Sequence, residues 1–243
     1  MTGCHGSIVE IARGDFAYHL LDNSALLDLT VLGDFLWAVA YILIIRQCFR
    51  QRSYGLPLAA IVMNFTWELQ YSLVMPPRCD NGSVDVVKVS IILAWVVLDA
   101  VIVWQLFRYG RAEQSIPEVR RHFPAVVLVS LILAALGNLT FARFHPNASA
   151  PFSGLIINFV MSLLFVFLLF GRPKLRGISW GAALFRVAGN SVIFLANIFL
   201  LRGDGAGVRD FALFLFAGTA LFDLIFLTLL YGRRHALWPG ALT

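Results

Sequence analysis

A chain of 243 residues that is 59% hydrophobic and only 14% charged, with a mean hydropathy of +0.79, is too apolar for a soluble domain of its size. Its net charge of +5 comes from basic residues placed mostly between apolar runs, which reports membrane topology and not a nucleic-acid footprint. Three scattered cysteines (Cys4, Cys48, Cys79) exclude a disulfide framework or a cysteine metal cage, and the five histidines all lie outside the apolar runs, which argues against an intramembrane haem, a histidine metal site or a Ser–His dyad.

Residues 1–26 are only patchily apolar, with no pattern of a cleaved signal peptide. The stretch around Phe16, Tyr18, Leu20 and Leu21 reads either as an interfacial helix or as a partly ordered tail. Seven apolar runs follow, at 27–46, 57–75, 88–107, 123–142, 152–171, 180–201 and 210–231. Each is about as long as a helix that crosses a bilayer. The expectation is an all-α membrane protein: a seven-transmembrane-helix bundle over 27–243, with short loops and antiparallel neighbours. Twelve Arg and Lys residues fall in the loops after helices 1, 3 and 5 and in the C-terminal tail, against six in the N-terminus and the other loops. The positive-inside rule then puts the N-terminus outside and the C-terminus in the cytoplasm. Arginine outnumbers lysine 17 to 2, which suggests a bacterial plasma membrane, with the endoplasmic reticulum as the alternative.

Four acids lie inside these spans: Asp34 in helix 1, Glu68 in helix 2, Asp99 in helix 3 and Asp223 in helix 7. A carboxylate there costs about 2.5–3.5 kcal/mol on insertion scales, so each is a functional candidate by default. Asn64, Glu68 and Tyr71 are spaced i, i+4 and i+7 and share one helical face, as do Arg186, Asn190 and Asn197 in helix 6. At a rise of about 1.5 Å per residue, Asp34 and Glu68 sit roughly 10 Å below the outer boundary and Asp223 roughly 12 Å above the inner one, near the depth of Arg186. Two readings stay open for Asp223, a counter-ion of Arg186 or a working acid. The asparagines read as hydrogen-bonding glue between helices, above all Asn138 and Asn158. No basic residue is evident at the depth of Glu68 and Asp99, and a buried acid without a cation beside it keeps its proton.

Aromatic residues crowd these acids: Trp37 and Tyr41 follow Asp34, Phe65, Trp67 and Tyr71 flank Glu68, Trp95 and Trp104 flank Asp99, and Phe222 and Phe226 flank Asp223. They read as lipid-facing packing or as cavity walls whose π-faces attract a cation without quenching it. No lysine lies deep in a span, which excludes a retinal Schiff base. No Asp-rich DDxxD-type pair and no Gly-rich phosphate loop is present, so neither Mg²⁺-bound diphosphate nor a nucleotide is the expected ligand.

The Asn64-x-x-Trp67-Glu68 segment in the second of seven helices, with Asp223 in the seventh, resembles the membrane-integral terpene cyclases of fungal meroterpenoid and indole-diterpene pathways and their bacterial relatives of drimentine-type indole-sesquiterpene pathways. The resemblance covers nearly the whole chain. It implies that Glu68 and Asp223 are the essential acids and that the chemistry needs no metal and no cofactor. It also implies a prenylated substrate, carrying a farnesyl chain on an indole, diketopiperazine or other aromatic head, supplied from an upstream prenyltransferase and taken up among membrane lipids. Class II-like protonation of an alkene or epoxide would start the cascade. Asn64 would orient the Glu68 proton, and Trp67, Tyr71 and Trp95 would stabilise the cation. Asp34, Trp37, Asp99, Arg186, Asn190 and Phe222 complete the expected lining. The alternative is a proton-coupled small-molecule transporter, since acids at several depths also suit a proton relay. The lack of a proline deep in any expected span speaks for a fixed pocket over an alternating gate.

Overall fold

The computed structural model describes residues 23–78, 82–144, 149–172, 174–200 and 206–235. Residues 1–22 of the expected N-terminal segment 1–26 and the Asn197 side chain lie outside them; residues 23–26 belong to the first helix. Seven helices are found among the described residues, one for each apolar run: α1 (Asn23–Gln51), α2 (Leu58–Leu69), α3 (Val86–Tyr109), α4 (Pro117–Phe144), α5 (Ser149–Phe170), α6 (Trp180–Leu200) and α7 (Ala206–Arg234). Five of them, all but α2 and α6, are long and apolar enough to cross a membrane.

Helix α2 departs from the expected uniform span. It is α-helical for only 12 residues and then widens into a π-turn, Gln70–Val74. The N–H of Met75 reaches back five residues to the Gln70 carbonyl, and the Ser72 hydroxyl donates to the Glu68 carbonyl at 2.7 Å. Such π-turns concentrate at functional sites. Helix α4 starts earlier than its apolar run, so Pro124 falls inside it. That proline removes one intrahelical hydrogen bond from a helix otherwise long enough to tolerate it.

Local chemistry sets the helix starts. The Asp85 carboxylate accepts from the Lys88 N–H at 3.1 Å and caps α3, and the Ser179 hydroxyl accepts from the Ala182 N–H at 3.3 Å at the head of α6. Gly177, between α5 and α6, has φ +76°, and a Cβ there would lie 2.6 Å from the Tyr54 carbonyl oxygen. Only glycine fits both demands.

Helix α1 lies along α6, α5 lies along α7, and the short α2 is enclosed by α3, α4 and α5. Small residues make the first contact close. A Cβ on Gly33 would meet Ile193 at 2.5 Å, and one on Gly189 would meet the Trp37 ring at 2.7 Å. The loops after α1, α3 and α5 meet at one end, where Arg172 pairs with Glu113 at 3.1 Å and bonds to Ser53 at 3.1 Å and to the Tyr54 carbonyl. The basic loops counted together in the sequence therefore share one end of the bundle. Large apolar side chains such as Phe35, Val97, Leu133 and Leu224 cover the outside, as a lipid solvent requires.

Candidate active site

Inside the bundle, toward the end where α1 and α3 begin, lies a cavity of about 230 Å³. Its walls come from α1, α2, α3, α5 and α6. Asp34, Trp37 and Tyr41 enter it from α1 because their spacing of three and four residues puts them on one face. Asn64 and Glu68 enter from α2 for the same reason, with Trp67 beside them.

Glu68 is 3% exposed and Asp99, one layer behind it on α3, is 1% exposed. The two carboxyls lie within hydrogen-bonding reach of each other. The Asn64 side-chain amide spans them, with Nδ2 2.8 Å from Glu68 Oε1 and 2.9 Å from Asp99 Oδ2. Its two hydrogens serve one carboxyl each. The Tyr41 hydroxyl lies 3.2 Å from the same nitrogen and within reach of Asp99. Glu68 Oε2 and Asp99 Oδ1 are buried and, among the described residues, take no hydrogen bond from a donor group. Two carboxyls placed this way can share one proton, as paired acids in other active sites do.

The aromatic walls are fixed by their own polar handles. The Trp67 indole N–H donates to the Ser153 hydroxyl at 2.8 Å, and the Trp37 indole N–H donates to Asn190 Oδ1 at 2.9 Å. Trp95 meets the Tyr41 ring edge-on, centroids 5.1 Å apart, and Trp37 packs on the other side of Tyr41 at 5.9 Å. These rings stand around Glu68 with their faces and edges held by packing, which suits stabilisation of a cation that moves.

Asp223 does not line the cavity. It sits below, in an ion pair with Arg186 at 2.7 Å, neither side chain more than 2% exposed. The guanidinium also donates to Ser162 at 3.0 Å and stacks over Phe165, 4.3 Å from its centroid. The second Asp223 oxygen accepts from Asn190 Nδ2 at 2.7 Å. Asn190 Oδ1 in turn accepts from Trp37 and from Asn158 Nδ2 at 2.8 Å. A chain of contacts thus runs from the buried ion pair to two residues on the cavity wall.

The family model for Pyr4-like transmembrane terpene cyclases matches residues 22–232, nearly the whole chain. The chain belongs to the Pyr4-like transmembrane terpene cyclases. Its relatives include the Pyr4-family terpene cyclase mfmH of Annulohypoxylon moriforme, 26% identical over 207 residues and 82% of each chain. Terpene cyclase cle7 of Aspergillus versicolor is 28% identical over 72% of this chain and 71% of its own. Terpene cyclase macJ of Penicillium terrestre is 28% identical over 120 residues, 49% of this chain and 44% of its own. The protein is therefore an integral membrane terpene cyclase. These relatives are fungal, so they lend the expected bacterial membrane no support.

In this cyclase the residues expected at the site fall into three groups. Asp34, Trp37, Asn64, Trp67, Glu68 and Trp95 line the cavity. Asp99, Asn190, Arg186 and Asp223 stand behind its wall and are joined to it by hydrogen bonds and charge. Tyr71 and Phe222 are off the wall. Tyr71 packs at a tilt against Trp67, centroids 4.9 Å apart, and Phe222 packs on Phe159 at 5.8 Å. The π-turn beginning at Gln70 ends the spacing that aligned Tyr71 with Glu68. Tyr41 and Asn158 also line the cavity, outside the expected set of site residues. Tyr41 shares the Asp34–Trp37 face, a periodicity that was available to find it. Asn158, expected only as glue, both bridges α5 to α6 and faces the cavity. Asn138 is glue as expected: it donates to Thr66 at 3.0 Å and to the Met63 carbonyl at 3.2 Å, tying α4 to α2.

Proposed function

We propose that this cyclase starts ring formation by proton delivery from Glu68, with Asp99 as its partner acid, to the end of a prenyl chain carried on an indole, diketopiperazine or other aromatic head. The observation that carries the reading is the Asn64-bridged pair of carboxyls opening onto a cavity walled by Trp37, Tyr41, Trp67 and Trp95. In this reading the chain is farnesyl, supplied by a prenyltransferase and taken up from the lipid phase. The charge count assigns the end that carries Arg172 to the cytoplasm, which leaves the cavity in the opposite half of the membrane.

The proton of the Glu68 carboxyl adds to the terminal alkene carbon, or to the oxygen of a terminal epoxide. The Glu68 carboxylate left behind is held by Asn64 and by a proton shared with Asp99. The cation forms on the tertiary carbon and is consumed by the next double bond, one carbon–carbon bond forming at each step. Loss of a proton, or capture by the head group, ends the cascade, so that the product is an isomer of the substrate. An alkene is a very weak base, and the second acid is what makes Glu68 a competent donor. Asp223 works through its contacts. It neutralises Arg186 and orients Asn190, which aims Trp37 and Asn158 at the chain.

Membranes carrying the protein are supplied with farnesylated indoles, as alkene and as terminal epoxide, and the products are read by mass spectrometry. The expected product has the mass of the substrate and a new retention time, and it disappears with Glu68→Gln. Parental turnover by Glu68→Gln would sink the assignment.

A further inference from the structure

A second recess lies on the outside of the bundle between α1 and α3, about 220 Å³ in volume. Its walls are Val31, Phe35 and Ala38 from α1 and Ala94 and Leu98 from α3, with Asp34, Ile91 and Trp95 at its floor. Those last three residues also line the inner cavity, so they form the partition between the two spaces. Val31 is 47% exposed and Phe35 is 62% exposed, so the recess opens to the surroundings of the bundle, which here are lipid. Asp34 is the one charged residue on its lining.

The inner cavity is too small for the whole substrate of the proposed reaction. An apolar cavity of about 150 Å³ takes one benzene ring. A space of about 230 Å³ holds the terminal isoprene units of a prenyl chain, and not a farnesyl chain with an aromatic head. The recess nearly doubles the room, and only the three side chains of the partition separate it from the cavity. We propose that the α1–α3 recess is the lateral entrance of the active site: the prenyl chain passes from the lipid between α1 and α3, its reactive end goes past Trp95 to Glu68, and its head-proximal part stays in the recess during the reaction. This rests on the function proposed above. Ala38 of α1 and Ala94 of α3 are the small residues of its lining, and neither lines the inner cavity.

The test fills the recess after the protein has folded. Ala94→Cys and Ala38→Cys are each purified in detergent and modified with a bulky maleimide. The parent is treated in parallel to account for its own thiols; Cys48 is fully buried. Modification of either variant is expected to lower kcat/KM for farnesylated indole at least tenfold, mostly through KM, and to leave the parent unchanged. Farnesylated indole at saturation is expected to slow the modification of both variants severalfold. Modified variants that keep parental KM, or modification rates indifferent to the prenylated compound, would overturn the entrance while leaving the acid site standing. Absence of any turnover by the parent would instead overturn the reading of the site, and the entrance with it.

Discussion

Arg186 and Asp223 meet at 2.7 Å in the interior of the bundle, both essentially excluded from solvent. A pair of this kind contributes little net stability, but removing one partner strands the other charge, at a cost of about 3–5 kcal/mol. Asp223→Asn is therefore expected to lower the thermal midpoint of the detergent-solubilised protein sharply. Arg186→Gln combined with Asp223→Asn should recover most of the loss, because no buried charge is left alone. Thermal unfolding of the single and double variants decides it. A double variant no more stable than Asp223→Asn would mean that the pair is not what Asp223 serves.

The acid pair makes a different demand. Asp99→Asn keeps the size of the side chain and removes the partner carboxyl. It is expected to cut turnover about 10²-fold, at the lower end of what a positioned proton donor or its partner contributes. Glu68→Gln should abolish turnover within detection. Both are read from initial rates of product formation in membranes at matched protein levels. Undiminished turnover by Asp99→Asn would detach Asp99 from the chemistry.

Asn64 holds both carboxyls with one amide. Asn64→Leu leaves Glu68 Oε1 and Asp99 Oδ2 without that donor, and a lost hydrogen bond to a charged group costs about 1.5–3 kcal/mol. The expected result is a fall in kcat of about tenfold or more with KM little changed, because the amide's hydrogen bonds go to the acids. A change confined to KM would instead make Asn64 a substrate contact.

The Trp67 indole is pinned by Ser153 at 2.8 Å. Ser153→Ala frees the ring at a cost of about 1 kcal/mol. Turnover should fall only a few-fold, while the share of prematurely terminated products rises, because a loosened π-face stabilises the later cations less well. Product ratios by chromatography test this. An unchanged ratio would make Trp67 a packing residue.

Gly189 lies where a Cβ would come within 2.7 Å of the Trp37 ring. Gly189→Ala is expected to destabilise by about 1–3 kcal/mol through overpacking and to displace Trp37 from Asn190. Reduced thermal stability together with reduced turnover is the expected signature.

The sequence alone determined the class of molecule and the number of helices, because the length of an apolar run is set by bilayer thickness and needs no neighbour to interpret it. It also determined that Asn64 and Glu68 share one face, since a spacing of four residues on one helix is a local fact. Tertiary structure decided the pairings. Which acid meets Asp99, and which meets Arg186, depends on how separate helices are rotated and stacked, and periodicity within a helix carries no such information. The close approach of α1 to α6 at Gly33 and Gly189 turns Trp37 onto Asn190. The enclosure of α2 by α3 and α5 brings Asp99 behind Glu68 and sets Asn158 across the cavity. The same acids, written in the chain as four isolated costs, become one Asn64-bridged pair, one partner of Arg186 and one residue in the wall between two spaces only when the helices are packed.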